Sequence, residues 1–269
     1  MTETVTRGMA ATDRATLRVG GPEARDFLQG LVSNDVRRLA EGAVYAALLT
    51  PQGKYLFDFF LIADGDDVIL DVAAARAAAL AQRLAMYRLR AKVTIAPAGL
   101  EVAVGLGPLP AGGLVVADPR AAAMGWRAYV ADAAAFVAGM APLDPAEIAA
   151  RRVALGVPES GVELVPDDSY ILEMGFERLN GVDFRKGCYV GQEVTARMKH
   201  KTELRKGLVR VAVAGDPPPP GTEIAAGGKP AGTLYTTAGG EGLAYLRLDR
   251  AGGEMRAGDA VVTLPEGAS

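Results

Sequence analysis

The chain has 269 residues, of which 50% are apolar and 23% are charged, and its formal net charge is −3. This length predicts two or three lobes, and the slight negative charge argues against a general affinity for nucleic acid or anionic membranes. No apolar run is long enough to span a membrane, and residues 1–19 contain no signal-peptide core. We therefore expect a cytoplasmic protein with no membrane segment.

Two scarce residue types exclude several kinds of site. Cys188 is the only cysteine and His200 is the only histidine. One chain therefore cannot form a disulfide, a zinc site of cysteine and histidine ligands, or a four-cysteine iron–sulfur site. No candidate nucleophile accompanies His200, so no Ser–His–Asp or Cys–His centre is predicted, and we expect no resident metal.

Hydrophobic periodicity predicts a mixture of strands and helices up to residue 155. Residues 1–13 are polar and are expected to be frayed. Asp144 and Glu147 form a predicted capping box, with Pro145 at the first helical position. The predicted strands are 16–19, 46–50, 55–63, 68–72, 101–106, 114–117 and 126–130, and the predicted helices are 22–31, 73–89, 131–140 and 145–155.

The sequence changes in character after Lys206. Val209, Val211 and Val213 alternate with other residues, and glycine-rich turns separate predicted short strands at 231–235, 243–248 and 260–264. Regular short strands with such turns are typical of a small β-barrel. We place the domain boundary between residues 202 and 203.

One acid stands inside an apolar strand. Asp58 lies between Phe57 and Phe59, where a carboxylate is costly unless it is paired or functional. Asp58 is therefore a candidate site residue. The plain alternative is that it bonds backbone amides on an outward-facing sheet edge.

The segment 184–197 combines the single cysteine with glycines and cations. Gly187 and Gly191 permit backbone conformations and close approaches that a Cβ forbids. Arg185 and Lys186 are close in sequence to the Cys188 thiol, and a nearby cation favours the thiolate, which is the nucleophile and the soft metal ligand. Cys188 is thus the candidate functional thiol. The alternative is a small buried apolar residue, as free cysteines often are.

This segment resembles the signature of the YgfZ family, folate-binding relatives of the glycine-cleavage T-protein that include mitochondrial iron–sulfur assembly factors. The matching residues are Lys186, Gly187, Cys188, Tyr189, Gly191, Gln192 and Glu193. Residues 27–36, a Phe-Leu-Gln-Gly helix followed by Ser-Asn-Asp, resemble a second family marker, and residues 84–93 resemble a third. The resemblance implies a T-protein-like α+β fold. Residues 1–202 would form two α+β lobes that can be interleaved in sequence, and residues 203–269 would form a C-terminal β-barrel.

The resemblance also implies a function. It predicts an accessory protein, rather than a classical enzyme, that binds tetrahydrofolate as cofactor and assists iron–sulfur cluster assembly or repair. Effects on tRNA modification would be indirect. Partners would be folate and iron–sulfur assembly proteins or client iron–sulfur enzymes, with folate in the central cleft between the lobes. The residues implied in folate binding are Asp58, Asn34, Glu173, Arg197 and Arg88.

Two departures from the family pattern bear on the function. The T-protein has two adjacent aspartates where this chain has Phe57 and Asp58, which argues against aminomethyl transfer. Around Glu173 the glutamate is kept, but the family's neighbouring proline and asparagine are not. The alternative is a folate-dependent aminomethyltransferase or demethylase of the T-protein class.

Residues 185–206 are locally basic. They contain seven cations against two acids, a local charge of +5, which favours an anionic ligand such as the glutamate tail of folate. Aromatic residues are not interleaved as on single-strand platforms, so direct nucleic-acid binding is not expected, and a solvated basic face is the plain alternative. The charged residues are Arg185, Lys186, Arg197, Lys199, Lys201, Arg205 and Lys206, with Glu193 and Glu203.

Overall fold

Two five-stranded sheets and a closed six-stranded barrel make up the chain, which a computed structural model describes at residues 5–200 and 204–265. The expected α+β region with a C-terminal β-barrel is confirmed. Within those residues, no helix is both long and apolar enough to cross a membrane.

The elements follow one another in this order. The strands are β1 (Arg7–Ala10), β2 (Arg14–Gly20), β3 (Val44–Leu49), β4 (Tyr55–Asp64), β5 (Asp67–Ala73), β6 (Thr94–Pro97), β7 (Glu101–Leu106), β8 (Leu114–Ala117), β9 (Trp126–Val130), β10 (Ala141–Pro142), β11 (Lys206–Ala214), β12 (Thr222–Ala226), β13 (Lys229–Ala238), β14 (Glu241–Arg247), β15 (Met255–Ala257) and β16 (Ala260–Thr263). The helices are α1 (Ala24–Gln29), α2 (Ala74–Arg88), α3 (Ala133–Val137), α4 (Pro145–Leu155) and α5 (Gln192–His200), with 3-10 turns at Val36–Ala40 and Ala122–Met124.

The first sheet has the order β3-β4-β5-β2-β6, and the second has the order β10-β1-β7-β9-β8. The expectation that residues 1–13 are frayed is wrong for β1, which lies between β10 and β7. A strand of four residues is too short to show a periodicity, and both of its partners come much later in the chain. Interleaving is therefore present, because the first strand of the chain belongs to the second sheet.

Each sheet has one face against helices and one against the other sheet. On β4, Phe59 and Leu61 join a core with α1 and α2, whereas Phe60 and Ile62 face the core between the sheets. Alternate residues of a strand point to opposite faces, and burying one such side chain contributes about 1.5–3 kcal/mol. Trp126 of β9 lies on the outer face of the second sheet, which α3 covers.

Asp71 on β5 joins the two sheets. Its fully buried carboxylate accepts hydrogen bonds from Arg14 Nε (2.7 Å) on the same sheet, and from Arg127 Nε (2.8 Å) and the Tyr129 hydroxyl (3.0 Å) of β9. Burial alone would raise the pKa of Asp71, but the charges of Arg127 and Arg14 outweigh it and hold that pKa below its usual range. The ion pair therefore crosses the interior between the sheets.

Helix α4 begins and ends as predicted, but its capping box is only half formed. The Asp144 carboxylate accepts from the Ala146 N–H (2.8 Å), and Gly156 ends the helix at φ 63°. Glu147 does not return to the cap. It pairs with Arg7 of β1 at 2.7 Å, a partner that the sequence around α4 does not reveal.

The barrel strands run in the order β11-β14-β13-β12-β15-β16. The predicted strands at 231–235, 243–248 and 260–264 correspond to β13, β14 and β16, and the sequence analysis missed β12 and β15. The predicted domain boundary between residues 202 and 203 falls at 201–203, outside the described residues.

We predict that Asp71→Asn destabilises the protein by about 3–5 kcal/mol, because removing one member of a buried ion pair leaves the other charges uncompensated. Urea unfolding at neutral pH measures this. The folded-state pKa of Asp71 is depressed, so its stabilisation is complete above the ordinary aspartate pKa of about 3.9 and is lost below it. The difference between wild type and variant should therefore shrink in acid.

Asp64→Asn is the matched control. Asp64 pairs with Arg18 at 2.7 Å on the surface, where an ion pair contributes about 0–1 kcal/mol. Equal losses of stability in the two variants would show that Asp71 does not hold the sheets together.

Candidate functional site

The cysteine loop, residues 184–191, presents its thiol to solvent. Cys188 is exposed, while Lys186 and Tyr189 on either side of it are only 6% and 7% exposed. Burial raises the pKa of Tyr189 to about 12. The alternative that Cys188 is a buried apolar residue is therefore wrong. The loop is fixed on both sides of the cysteine and open at the thiol.

Lys186 fixes the loop to the end of α1. Its ammonium donates to the carbonyl oxygens of Gln29 (2.5 Å) and Val32 (2.7 Å), where the negative end of the helix dipole suits a cation. Burial lowers the pKa of Lys186 to about 8, against the opposing effects of Asp35 and Asp183. The sequence suggested an effect of this lysine on the thiol, and the structure adds a second role, because its hydrogen bonds anchor the loop.

Residues 29–36 hold the chain leading into the loop. The Ser33 hydroxyl donates to the Gly181 carbonyl (2.6 Å), and the Asp183 N–H donates to the Ser33 carbonyl (3.0 Å). Gln29 Nε2 donates to the Lys186 carbonyl at 3.2 Å. The two stretches that resemble family markers, far apart in sequence, therefore bind each other in the folded protein.

Asn34 is part of the same hydrogen-bonded contact between residues 29–36 and the chain leading into the cysteine loop. Its Nδ2 donates to the carbonyl oxygens of Asn180 (2.6 Å) and Tyr45 (2.8 Å), and its Oδ1 accepts from the Asp35 N–H (2.8 Å). The residue is 1% exposed. We expected Asn34 to bind a cofactor. In the structure its hydrogen bonds instead position the chain that leads into the cysteine loop.

Two glycines bring the end of the loop onto the β3–β4 turn. Gly191 has φ +85°, and a Cβ there would lie 2.6 Å from the Thr50 carbonyl oxygen. Gly53 has φ +76°, and its Cβ would lie 2.8 Å from the Val194 side chain. Gly187 also has a positive φ, but a Cβ there would meet nothing within 4 Å. Gly191 is therefore required by packing as well as by backbone conformation.

Helix α5 begins directly after the loop. Gln192 is half-buried and Glu193 is exposed in its first turn, and His200 is exposed at its end. Lys186 is buried and Lys199 pairs with Glu177. The exposed, unpaired positive charge of this stretch is therefore smaller than the sequence predicts. Lys201 and Glu203 lie outside the described residues. The remaining exposed cations of that stretch are Arg185, Arg197, Arg205 and Lys206.

A β-bulge places Asp58 beside a tyrosine. The register of β4 against β3 shifts between Leu48 and Leu49, so Tyr55 and Asp58 share a face, although residues three apart in a regular strand face opposite sides. Asp58 accepts from the hydroxyls of Tyr55 (2.7 Å) and Tyr45 (3.1 Å). The edge interpretation of Asp58 is wrong, because β4 lies inside the sheet and the partners are hydroxyl groups.

Asp58 lines a cavity of about 240 Å³ between the two sheets, together with Phe60, Met124 and Ser160. The guanidinium groups of three arginines lie 4.1–5.7 Å from the Phe60 ring centroid, and two carboxylates pair with them. Most of the cavity's charge is therefore already neutralised. The arginines are Arg14, Arg120 and Arg127, and the carboxylates belong to Asp71 and Asp118.

Phe57 faces away from this cavity. It belongs to the core with α1 and α2, and the Arg76 guanidinium lies 4.8 Å from its ring centroid. The departure at Phe57 therefore removes no acid from the cavity that Asp58 lines. The missing aspartate at Phe57 is therefore not a structural argument against aminomethyl transfer in that cavity.

A larger cleft of about 790 Å³ separates the two-sheet region from the barrel. Glu173 lies in it and accepts from the Tyr245 hydroxyl of β14 at 2.6 Å. Lys54 lies 3.8 Å from the Tyr170 ring centroid on the same side. Tyr235 of β13 and Arg205 and Lys206 at the start of the barrel also line the cleft, as do Asp168 and Ser169.

The predicted cofactor residues do not form one site. Asp58 lines the cavity between the sheets, Glu173 lines the cleft at the barrel, and Asn34 lies under the cysteine loop. Arg197 is exposed on α5, and Arg88 is exposed at the end of α2. Among the residues described, no group of three or more histidine, cysteine, aspartate or glutamate side chains is arranged to hold a metal ion.

Comparison with known proteins identifies relatives of the whole chain and of the barrel. Residues 205–268 match the family model described as CAF17, C-terminal beta-barrel domain. The human protein named Iron-sulfur cluster assembly factor IBA57, mitochondrial, is 34% identical over 90% of this chain and 78% of its own length. Its mouse counterpart is 32% identical with the same coverage.

The fold is shared with known structures. The glycine cleavage system aminomethyltransferase T from Bartonella henselae matches with a TM-score of 0.80 over 97% of this chain and 85% of that chain. The two sequences are 16% identical, so the match establishes the T-protein-like fold alone.

We predict that Gly191→Ala costs at least about 1 kcal/mol more stability than Gly187→Ala, because both need a positive φ but only position 191 adds a backbone clash. Urea unfolding of the two variants gives the difference. The alkylation rate of Cys188 by iodoacetamide should change in Gly191→Ala and stay near wild type in Gly187→Ala. Equal stabilities would mean that the loop does not rest on the β3–β4 turn.

Proposed function

The chain belongs to the family of the IBA57 iron–sulfur cluster assembly factors, and we propose that it too acts in iron–sulfur cluster assembly, with Cys188 as its working thiol. The observation that carries this proposal is the cysteine loop itself. Its only thiol is exposed, while the hydrogen bonds of Lys186 and of residues 29–36 fix the loop on its buried side.

The cluster is cargo in this proposal. Iron–sulfur clusters are held by several cysteine thiolates, and this chain supplies only one. Cys188 therefore contributes a single ligand while a partner protein contributes the others. A loop already held in one conformation loses little further entropy when that complex forms. Effects on tRNA modification follow indirectly, through iron–sulfur enzymes that modify tRNA.

We predict that Cys188→Ser folds like the wild type and fails to restore the activity of an iron–sulfur dehydratase in cells lacking the protein. Serine is close in size to cysteine, and the position is exposed, so stability should stay within about 0.5 kcal/mol. The measurement is enzyme activity in extracts at matched levels of the variant, with thermal unfolding alongside.

The double variant Cys188→Ser with Ala131→Cys is the matched control. It keeps one thiol per chain at another exposed position and should fail in the same way. Full activity with Cys188→Ser would show that the thiol is not needed for the function. Activity with the relocated thiol would show that the position of the thiol on the loop is not needed.

Binding of tetrahydrofolate is a second property, favoured by the cleft at the barrel. Its volume of about 790 Å³ lies in the usual range of ligand pockets, about 300–1,000 Å³, whereas the cavity at Asp58, about 240 Å³, lies below it. We therefore assign folate to the cleft at the barrel rather than to the space between the sheets.

The lining of the cleft suits the parts of a folate. Tyr170, Tyr235 and Tyr245 offer aromatic faces to the pterin and aminobenzoyl rings. The Glu173 carboxylate can accept from the pterin N–H groups. Arg205 and Lys206 are exposed cations that suit the glutamate tail, since charge-assisted hydrogen bonds to a carboxylate are strong.

We predict micromolar binding of tetrahydrofolate, a free energy of about −8 kcal/mol, and a loss of about 10- to 100-fold in Glu173→Gln, which gives up a hydrogen bond to a charged acceptor. Isothermal calorimetry measures both. Asp58→Asn is the control and should bind as the wild type does. A larger loss of affinity in Asp58→Asn would indicate that folate binds in the cavity between the sheets. No binding heat at millimolar folate would refute folate binding, and the proposal for Cys188 would be unaffected.

A further inference from the structure

We propose that the end of α2 is a docking surface for an acidic partner protein, with Leu89 as the apolar anchor. The surface, which we call the α2 turn, consists of residues 86–92. Neither the cysteine loop nor the folate cleft includes it, so the inference is independent of the proposed function.

Leu89 occupies a turn position that usually belongs to glycine. Its φ of 42° and ψ of −104°, with the Ala91 N–H donating to the Arg88 carbonyl at 2.7 Å, define a type II′ turn over residues 88–91. The first central position of that turn needs a positive φ, which strains any residue with a Cβ. Leu89 is also 88% exposed, so no packing within the described chain compensates for the strain.

A second exposed apolar side chain comes shortly before the turn. Met86, in the last turn of α2, is 65% exposed. Leu80 and Leu84 of the same helix are fully buried, so the core already has its contacts from α2. Single exposed apolar residues need no explanation, but an exposed leucine in a strained turn points to a use outside the fold.

Cations flank Leu89 in the sequence. Residues 72–100 contain five cations and no aspartate or glutamate, within a chain of net charge −3. Arg88, Arg90 and Lys92 are exposed, and their side chains make no hydrogen bond or ion pair to a described residue. Glu23 reaches the turn, but it accepts from the Lys92 backbone N–H at 3.1 Å. The helix dipole accounts for a cation in the last turn of α2, which leaves Arg90 and Lys92 beyond its range.

An apolar centre with a polar rim is the arrangement of a protein–protein interface, and the positive charge of Arg88, Arg90 and Lys92 favours an acidic partner. A fluid membrane would accept an exposed leucine in any orientation, so it gives no reason for a fixed and strained turn. Single-stranded RNA binds on exposed aromatic faces, whereas Tyr87, the aromatic residue here, is half-buried. The geometry therefore favours a folded acidic protein with a pocket for Leu89.

A photo-crosslinking amino acid in place of Leu89, in the full chain expressed in its own cells, tests the proposal. The matched control carries the same group in place of Leu109, which is 56% exposed outside the α2 turn. We expect one discrete protein adduct of acidic isoelectric point from position 89 and none from position 109. Adducts with lipid or RNA alone, or the same adducts from both positions, would overturn the proposal.

The partner protein identified by crosslinking is then purified in unmodified form and titrated with variants of the full chain by calorimetry. Leu89→Gly keeps the turn, because glycine adopts the required φ freely, so its melting temperature should not fall, while affinity should drop about tenfold or more, as for a hot-spot residue. Arg88→Glu with Arg90→Glu should weaken binding likewise. Lys229→Glu, an exposed cation on the barrel, should leave it unchanged. Equal affinities for wild type, Leu89→Gly and the charge-reversal variant would refute the docking surface.

Discussion

The buried carboxylate of Asp71 sets the geometry of the two-sheet region. It accepts from arginines of both sheets and from a tyrosine hydroxyl of the second, so the sheets cannot slide without uncovering a charge. Asp71 and Asp118 pair with the arginines beside Asp58, and the cavity that remains there is only about 240 Å³. Larger ligands must therefore find room at the contact with the barrel, where Glu173 faces the tyrosines of β13 and β14.

The cysteine loop shows that polar residues in and beside a family motif can position a group rather than take part in its chemistry. Lys186 and Asn34 donate to backbone carbonyl groups, and Gln29 donates to the Lys186 carbonyl and to the Asp35 carboxylate. Their combined effect is a thiol that stays in solvent on a loop with little freedom. In the folded chain the thiol and its support thus come from segments that are far apart in the sequence.

Features encoded by neighbouring residues could be predicted from the sequence. The strands β7, β8 and β9 and the helix α4 have the predicted limits, because their periodicity and caps lie within a few residues. The bulge that turns Asp58 toward Tyr55 and the role of Lys186 as an anchor depend on β3 and α1, which local patterns cannot reveal. The resemblance identified the cysteine motif and residues 27–36, but the sequence alone could not show that they touch, and Gln29 and Ser33 were missed for that reason.

The position of β1 has a consequence for biosynthesis. Its backbone groups pair with those of β7 and β10, so residues 7–10 have no strand to join until residues 101–106 have left the ribosome. The first sheet is complete by β6 and can assemble earlier. Pairing between distant strands is slow, and an unpaired strand edge recruits other chains. Closure of the second sheet is therefore the stage at which a growing chain is most open to aggregation and gains most from a chaperone.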